Sequence, residues 1–401
     1  MIPEDFLSPL IAKNDNKIIL FVMDGLGGLP HPDTGLTELE TAKTPNLDAL
    51  AKESILGLGH PVGRGITPGS GPGHLSLFGY DPIKYLIGRG VLAACGIGFP
   101  IEVGDVASRI NFATIDENDN ITDRRAGRIP TETNEELCKI LDKIEIPGVK
   151  TYVQTVKQHR ACVVFRGGDL GGELADSDPQ KTGVPALPVK ALSERSNRTA
   201  ELSNEFVAKA KEALKEQHPA NMVLLRGFAE YHKIPGMLEK FGLKCAAIAT
   251  YPMYKGVARL VGMDVLQCAE NLTSQMETLK QNYDNYDYFF VHFKYTDSSG
   301  EDGDFDLKVK YIEEADSFIP QMRGLNPECM VVTGDHSTPA RLKSHSWHPS
   351  PILLYSPNCR IDANQEFGEG ACSRGGLGHL PAMELTQLML AHAQRLDKYG
   401  A

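Results

Sequence analysis

The stretch Thr67 to Asp81, TPGSGPGHLSLFGYD, holds a serine between two glycines with a histidine one helical turn further on. Ser70 has Gly69 and Gly71 beside it and Pro68 and Pro72 outside them. No neighbouring side chain shields its hydroxyl, and glycine neighbours let the backbone take strained turn angles. Backbone N–H groups at the start of a helix over roughly 73–77 would face an anion held at Ser70. The same composition also describes a plain surface loop. What sets this serine apart is three acids elsewhere. Asp24 ends the apolar run KIILFVM, Asp297 follows YDYFFVHF, and Asp335 follows the run from Cys329 to Thr333, so each lies at the end of an expected strand. His336, directly after Asp335, and His345, in KSHSWH, add imidazoles. Carboxylate and imidazole donors together suit Zn²⁺, Mn²⁺ or Co²⁺, and carboxylate-rich sites also accept Mg²⁺. A divalent cation lowers the pKa of a coordinated hydroxyl and fixes its direction, so the set reads as metal-assisted attack by a serine.

These residues need a scaffold that brings strand ends together. Short apolar runs such as Lys17 to Met23 read as central strands of a parallel sheet, and open α/β sheets place ligands at the carboxyl ends of such strands. Thr44-Pro45-Asn46 opens an expected helix to about Ser54, and a small-residue helix follows Ile87-Gly88-Arg89-Gly90. After Pro100 the texture changes. Strands over 105–115 and 121–123 flank the turn DENDN, and DRRAGR (Asp123 to Arg128) leads to a helix over about 134–144. A strand pair over 149–156 and 161–166 has His159 and Arg160 in its connection, and a long amphipathic helix covers about 193–217. Strand–helix alternation then resumes: strands at 222–225, 245–250, 286–293, 329–333 and 351–355, and helices near 235–241, 304–322 and 381–394. The pattern predicts an α/β doubly wound sheet, residues 1–105 and 226–401, carrying an inserted smaller α/β domain at 106–225.

Charge is unevenly divided between these parts. The 401-residue chain has a net charge of −11, yet 106–225 holds seventeen basic against eighteen acidic residues. The acidity therefore lies where carboxylates could serve metals, and the near-neutral insert carries arginine clusters. A strongly acidic balance argues against a nucleic-acid surface. No run of about 18 apolar residues predicts a membrane span. The start of the chain, MIPEDFLSPL, has two early acids and no h-region, so no signal peptide is expected. Eight cysteines without a CxxC pair read as reduced thiols, and the expected location is cytoplasmic. The sequence carries no reading of the oligomeric state.

The motifs MDGLGG, TAKTPNLDALA, TPGSGPGHLSLFGYDP, GRGVLAA, NFATID, ITDRRAGR, YPMYKGVARLVGM, FVHFKYTD, GDHSTP and HSWHPSPIL run nearly end to end through the chain. In this order they resemble the archaeal-type, cofactor-independent (2,3-bisphosphoglycerate-independent) phosphoglycerate mutases of the alkaline phosphatase superfamily. The resemblance implies an alkaline-phosphatase-like fold and two divalent metal ions (Mn, Mg, Zn or Co), with no 2,3-bisphosphoglycerate. It implies a phosphate-accepting Ser70, one metal held by Asp24, Ser70, Asp335 and His336, and a second by Asp297 and His345. Relatives place a histidine four residues after the acid that matches Asp297, where this chain has Glu301. A mutase of this kind takes phosphate from phosphoglycerate onto serine and returns it to the other hydroxyl of glycerate. It must keep water out meanwhile, which makes the insert an expected lid. The insert's Arg109, Arg124, Arg125, Arg128, His159 and Arg160, with Lys255 and Arg259 from YPMYKGVARL, are the candidates to hold substrate, Lys255 with a catalytic role. A metal-dependent phosphomonoesterase, a mutase for another phosphorylated metabolite, and a catalytically silent binding protein on the same scaffold are the competing readings.

Overall fold

Thirteen strands order the computed structural model, which describes residues 6–400; the first five residues of the N-terminal stretch read above lie outside it. In chain order they are β1 (Ile18–Met23), β2 (Ser54–His60), β3 (Val106–Ile115), β4 (Ile121–Asp123), β5 (Lys150–Lys157), β6 (Arg160–Arg166), β7 (Met222–Glu230), β8 (Cys245–Ile248), β9 (Asp264–Val265), β10 (Tyr288–Phe293), β11 (Cys329–Thr333), β12 (Ser350–Tyr355) and β13 (Gly378–Pro381). The chain divides into two units: Met1–Leu86, Pro235–Tyr254 and Val261–Ala401 form the first, Ile87–Ile234 and Lys255–Leu260 the second.

The first unit is built on an eight-stranded sheet in the order β13-β2-β12-β11-β1-β10-β8-β9. β12 alone runs against its neighbours, and β1 lies between β10 and β11 with both parallel to it. Val22 stands beside His292 on one side and Thr333 on the other, so the carboxyl ends of β10, β1 and β11 lie in a row. Every residue of these three strands is buried, the pattern of parallel strands covered on both faces. Ile19, Phe21, Phe289, Val291, Met330 and Val332 pack with Leu272, Met276 and Ile312 of the covering helices. Each such side chain contributes roughly 1.5–3 kcal/mol by leaving water.

Some elements differ from expectation. β2 lies in SILGLGH, whose two glycines are poor strand formers. Gly57 is needed there because Leu377 and Gly378 occupy the space a Cβ would take, which is how β13 comes alongside β2. The expected helix at 304–322 is two, Phe305–Asp316 and Ile319–Arg323, with Pro320 in the first turn of the second. The helix expected to start near 73 starts at Ser70, capped by Gly69. Ser70 has no positive φ, so strained turn angles are not what exposes its hydroxyl.

The second unit holds an antiparallel sheet in the order β4-β3-β6-β5, with β7 paired to β3. One face of it packs Ile110, Phe112, Val163 and Phe165 against the helices Thr131–Leu141 and Asn197–Leu214. Its bounds are wider than the expected 106–225. The helix Arg89–Gly96 joins it because Gly90 lies directly on the Ala107 backbone, and β7 carries the chain on to Glu230 rather than ending at Leu225. None of the eight cysteines forms a disulfide, and no helix among the described residues is long and apolar enough to cross a membrane.

Candidate active site

Asp24 is the first residue after β1, and its N–H donates to the Phe293 carbonyl at the end of β10. Asp335 follows β11 by two residues, and its Oδ1 accepts the Gly25 N–H at 3.1 Å. Asp297 lies in the first turn of the helix Tyr295–Asp302 that follows β10. All three acids are buried. Gly25 has φ +64°, and a Cβ there would collide with Thr338 and Asp297, so the turn that aligns the first acid requires glycine.

Lys308 holds the same turns from beneath. Its side chain is fully buried, and its ammonium donates to the carbonyls of Gly25 (3.0 Å), Gly27 (3.0 Å) and Thr338 (2.8 Å). Burial lowers its pKa, with Glu38 at 3.9 Å partly opposing that shift.

The acids converge on one imidazole. His336 Nε2 lies 3.3 Å from Asp24 Oδ1, 3.2 Å from Asp335 Oδ2, 3.9 Å from Asp297 Oδ1 and 3.3 Å from Ser70 Oγ. The Thr338 hydroxyl donates to Asp297 Oδ1 (2.7 Å), so it must accept from His336 Nδ1–H (2.9 Å). That leaves Nε2 as the nitrogen turned toward the carboxylates. His345 is set the same way. Its Nδ1–H donates to the Pro68 carbonyl (2.9 Å), and Nε2 faces Asp297 Oδ1 at 3.5 Å. Such partners fix the tautomer and aim of a metal-ligating histidine.

Two groups result that could each hold a cation: Asp24, Asp335 and His336, and Asp297, His336 and His345. Asp24 Oδ1 and Asp335 Oδ2 are buried without a hydrogen bond, so acceptors point into the space where a cation would be held. This donor set fits a divalent metal. His336 belongs to both groups, where the sequence reading assigned it to one. Glu301, one helical turn from Asp297, is in neither; its side chain is 55% exposed, and Oε1 lies 3.9 Å from His345 Nε2.

The cluster's electrostatics favour positive charge. Burial raises the Asp24 pKa, but Lys294, His292 and His336 outweigh it and hold that carboxyl well below the usual range. Burial opposes a charge on His336, yet Asp335, Asp24 and Asp297 raise its imidazole to about 9. His74 behaves likewise: burial opposes its charge and Asp335, 3.1 Å away, raises its pKa. The Lys294 ammonium stands between Asp24 (3.0 Å) and Asp297, and Tyr254 donates its phenol to Asp24.

Ser70 opens the eight-residue helix Ser70–Leu77 and is half-buried. Gly73, one turn on, lies against the Asp335 carbonyl with no room for a Cβ, which lets this helix reach the end of β11.

The second unit gathers the expected arginines. His159 is buried, and burial together with the charges of Arg160, Arg125, Arg128 and Arg109 lowers its pKa to about 4. Arg124 makes a two-pronged pair with Asp178, both contacts 2.8 Å. Arg259 lies apart from these, donating to the carbonyls of Cys95 and Gly96 at the end of the helix Arg89–Gly96. Lys255 lies on the helix Pro252–Leu260 and is partly buried. Sequence reasoning missed Lys294, Tyr254, His292 and Thr338, whose roles come from long-range contacts. Local signals were carried by Lys294, three residues before Asp297, and by Thr338, two residues after His336.

A family model for 2,3-bisphosphoglycerate-independent phosphoglycerate mutase matches residues 51–221. Proteins from Thermus thermophilus and Thermotoga neapolitana, both named probable 2,3-bisphosphoglycerate-independent phosphoglycerate mutase, are each 50% identical over 400 residues. The alignments cover 98% and 99% of this chain and the same shares of the relatives. Among solved structures, a Pyrococcus horikoshii protein matches with a TM-score of 0.84 and 31% identity, over 96% of this chain and 100% of its own. The cofactor-independent phosphoglycerate mutase from Thermoplasma acidophilum matches with a TM-score of 0.70 and 31% identity, over 94% and 100%.

Proposed function

The chain belongs to the 2,3-bisphosphoglycerate-independent phosphoglycerate mutases, and from that premise we propose that it interconverts 2- and 3-phosphoglycerate through a phosphoserine at Ser70. The observation that carries this is Ser70 Oγ at 3.3 Å from His336 Nε2, beside the row of buried acids. Two divalent cations, drawn from Mn²⁺, Mg²⁺, Zn²⁺ or Co²⁺, would be held by Asp24, Ser70, Asp335 and His336 and by Asp297, Glu301 and His345. When bound, they supply charge that lowers the serine pKa and offsets the phosphoryl oxygens.

This chain's own groups do the rest. Ser70 Oγ attacks phosphorus as the phosphorus–oxygen bond to glycerate breaks, the serine proton passing in net to the freed glycerate hydroxyl; glycerate then turns, its other hydroxyl attacks the phosphoserine phosphorus, the bond to Ser70 Oγ breaks, and the proton of that hydroxyl returns in net to the serine. Lys255 assists with its positive charge. The second unit acts as the lid that holds glycerate and excludes water, with Arg109, Arg124, Arg125, Arg128, His159, Arg160 and Arg259 as its binding groups. Bidentate guanidinium contacts suit phosphate and carboxylate alike. The place of such a reaction is glycolysis and gluconeogenesis, in the cytoplasm.

An assay coupled to enolase, with no 2,3-bisphosphoglycerate added and phosphate release read in parallel, tests the proposal against a phosphomonoesterase. Mutase turnover should exceed phosphate release by at least about a hundredfold, a barrier difference of ~3 kcal/mol. Phosphate release at the mutase rate would overturn it.

A further inference from the structure

β2 and β13 run side by side at one edge of the eight-stranded sheet, with His379 in register with Leu58 and Pro381 with His60. His60 follows Leu58 by two residues, so the imidazoles of His60 and His379 share a face. His60 Nε2 lies 3.1 Å from His379 Nδ1, and the ring centres are 5.3 Å apart with planes 23° from parallel. The centres are further apart than the nitrogens by about the width of one ring, so the two nitrogens point at each other along a line. That is a hydrogen bond between imidazoles, not two donors aimed at a shared cation.

Both histidines line a cavity of about 310 Å³ whose lining residues all belong to the first unit. None of the acids or histidines of the candidate active site lines it. Val62, Pro82, Leu380 and Met383 give it apolar walls, and Ile83, 74% exposed, leaves a further apolar side chain open to water beside it. Small-molecule sites begin at roughly this size, about ten times the volume of one water.

Two polar atoms of the lining residues are left over. Ser76 Oγ and His60 Nδ1 are buried without a hydrogen bond, and Ser76 is 1% exposed. Buried polar groups are nearly always paired, so leftover atoms beside a cavity mark where a ligand completes the bonding. The Ser76 hydroxyl can donate or accept. His60 Nδ1 can do either as well: it accepts when Nε2–H donates to His379, and donates when Nε2 accepts. Charge among the lining residues belongs to Arg64 and Asp81. Arg64 is exposed to water, and Asp81 Oδ1 already accepts the N–H groups of Ile83 (2.8 Å) and Lys84 (3.3 Å). Burial, with the charges of His379 and Arg64, lowers the His60 pKa and keeps that ring neutral. Neither leftover atom therefore calls for an ion. One hydroxyl, donating to one atom and accepting from the other, satisfies both, and an apolar ring behind it meets the walls.

We propose that this cavity is a second ligand site, taking a small uncharged molecule made of an apolar ring and a hydroxyl, the phenol class. Ser76 lies on the helix Ser70–Leu77 that opens with Ser70, so occupancy acts on the reaction through that helix. The coupling to catalysis rests on the mutase reading above; the binding does not.

The test uses the full-length protein and three probes with a common ring: phenol, toluene and benzoate. Ligand-observed NMR should rank phenol tightest, toluene about fivefold weaker for lack of a hydroxyl, and benzoate weaker still. Ser76→Ala should weaken phenol about fivefold and leave toluene unchanged, since only the hydroxyl contact is lost. His60→Phe should do the same, and Met383→Trp should fill the cavity and block phenol and toluene alike. Saturating phenol should change KM or kcat for 3-phosphoglycerate about fivefold in wild type, the low end of ordinary coupling between sites, and leave Met383→Trp unaffected. Equal binding of phenol and toluene, tighter binding of benzoate, or unchanged phenol binding in Ser76→Ala and Met383→Trp overturns the site. Phenol binding that leaves KM and kcat unchanged overturns the coupling. Absence of mutase turnover in wild type would strike the mutase reading, while the three probes still decide the site.

Discussion

Glu301 stands at the position where the family resemblance implied a histidine. It follows Asp297 by one helical turn, a spacing that puts both side chains on the same side of the helix Tyr295–Asp302. A carboxylate in place of imidazole swaps a neutral nitrogen donor for a charged, harder oxygen, which turns preference from Zn²⁺ toward Mn²⁺ or Mg²⁺. As a ligand, Glu301 must leave its exposed position, where it stands 3.9 Å from His345. Glu301→Ala is expected to lose one equivalent of bound metal and most activity; Glu301→His should keep activity and shift metal preference toward zinc or cobalt. Metal analysis of purified Glu301→Ala checks this, and two full equivalents with normal turnover would show that another group fills the position. At this scale the acids were legible because each ends an apolar run. Tyr254 and His292 were not, since a phenol or imidazole reaches its carboxylate only after distant strands have paired.

Among elements, the ends of β1, β10 and β11 matter most, and they stay in line because Lys308 ties the turns after β1 and β11 together. Its three carbonyl contacts come from residues 25, 27 and 338, far from position 308. Lys308→Met removes a buried ammonium and leaves those carbonyls without its hydrogen bonds, a loss on the order of 3 kcal/mol that the relieved burial of a charge only partly offsets. A lower urea midpoint and weaker metal uptake should appear together; an unchanged midpoint would show that the turns hold without it. Apolar strands such as β1, β10 and β11 were read within two residues of their observed ends. β2 was missed because its glycines, chosen for the close approach of β13, erase the strand signal. β7 was read only to Leu225, which left out Arg226, one residue further and directly opposite Arg109 of β3. That placement depends on strand register, which no local pattern carries.

For the whole molecule, the division of charge has a chemical counterpart. The first unit gathers buried acids that call for cations, and the second gathers arginines that call for anions. That partition was visible in composition, although the second unit takes in more chain than its charge balance suggested, from Ile87 to Ile234. A mutase differs from a phosphatase only in what accepts the phosphate from the enzyme, so the account stands or falls on the enzyme carrying that phosphate. The most direct test is to mix metal-loaded protein with 3-phosphoglycerate, quench in acid within the first turnovers, and locate phosphate by peptide mass spectrometry. The account predicts phosphate on Ser70, none in Ser70→Ala, and turnover of that variant below about one hundredth of wild type, a barrier increase above ~3 kcal/mol. Turnover by Ser70→Ala above that level, or full mutase activity with no phosphoserine at any quench time, would contradict it.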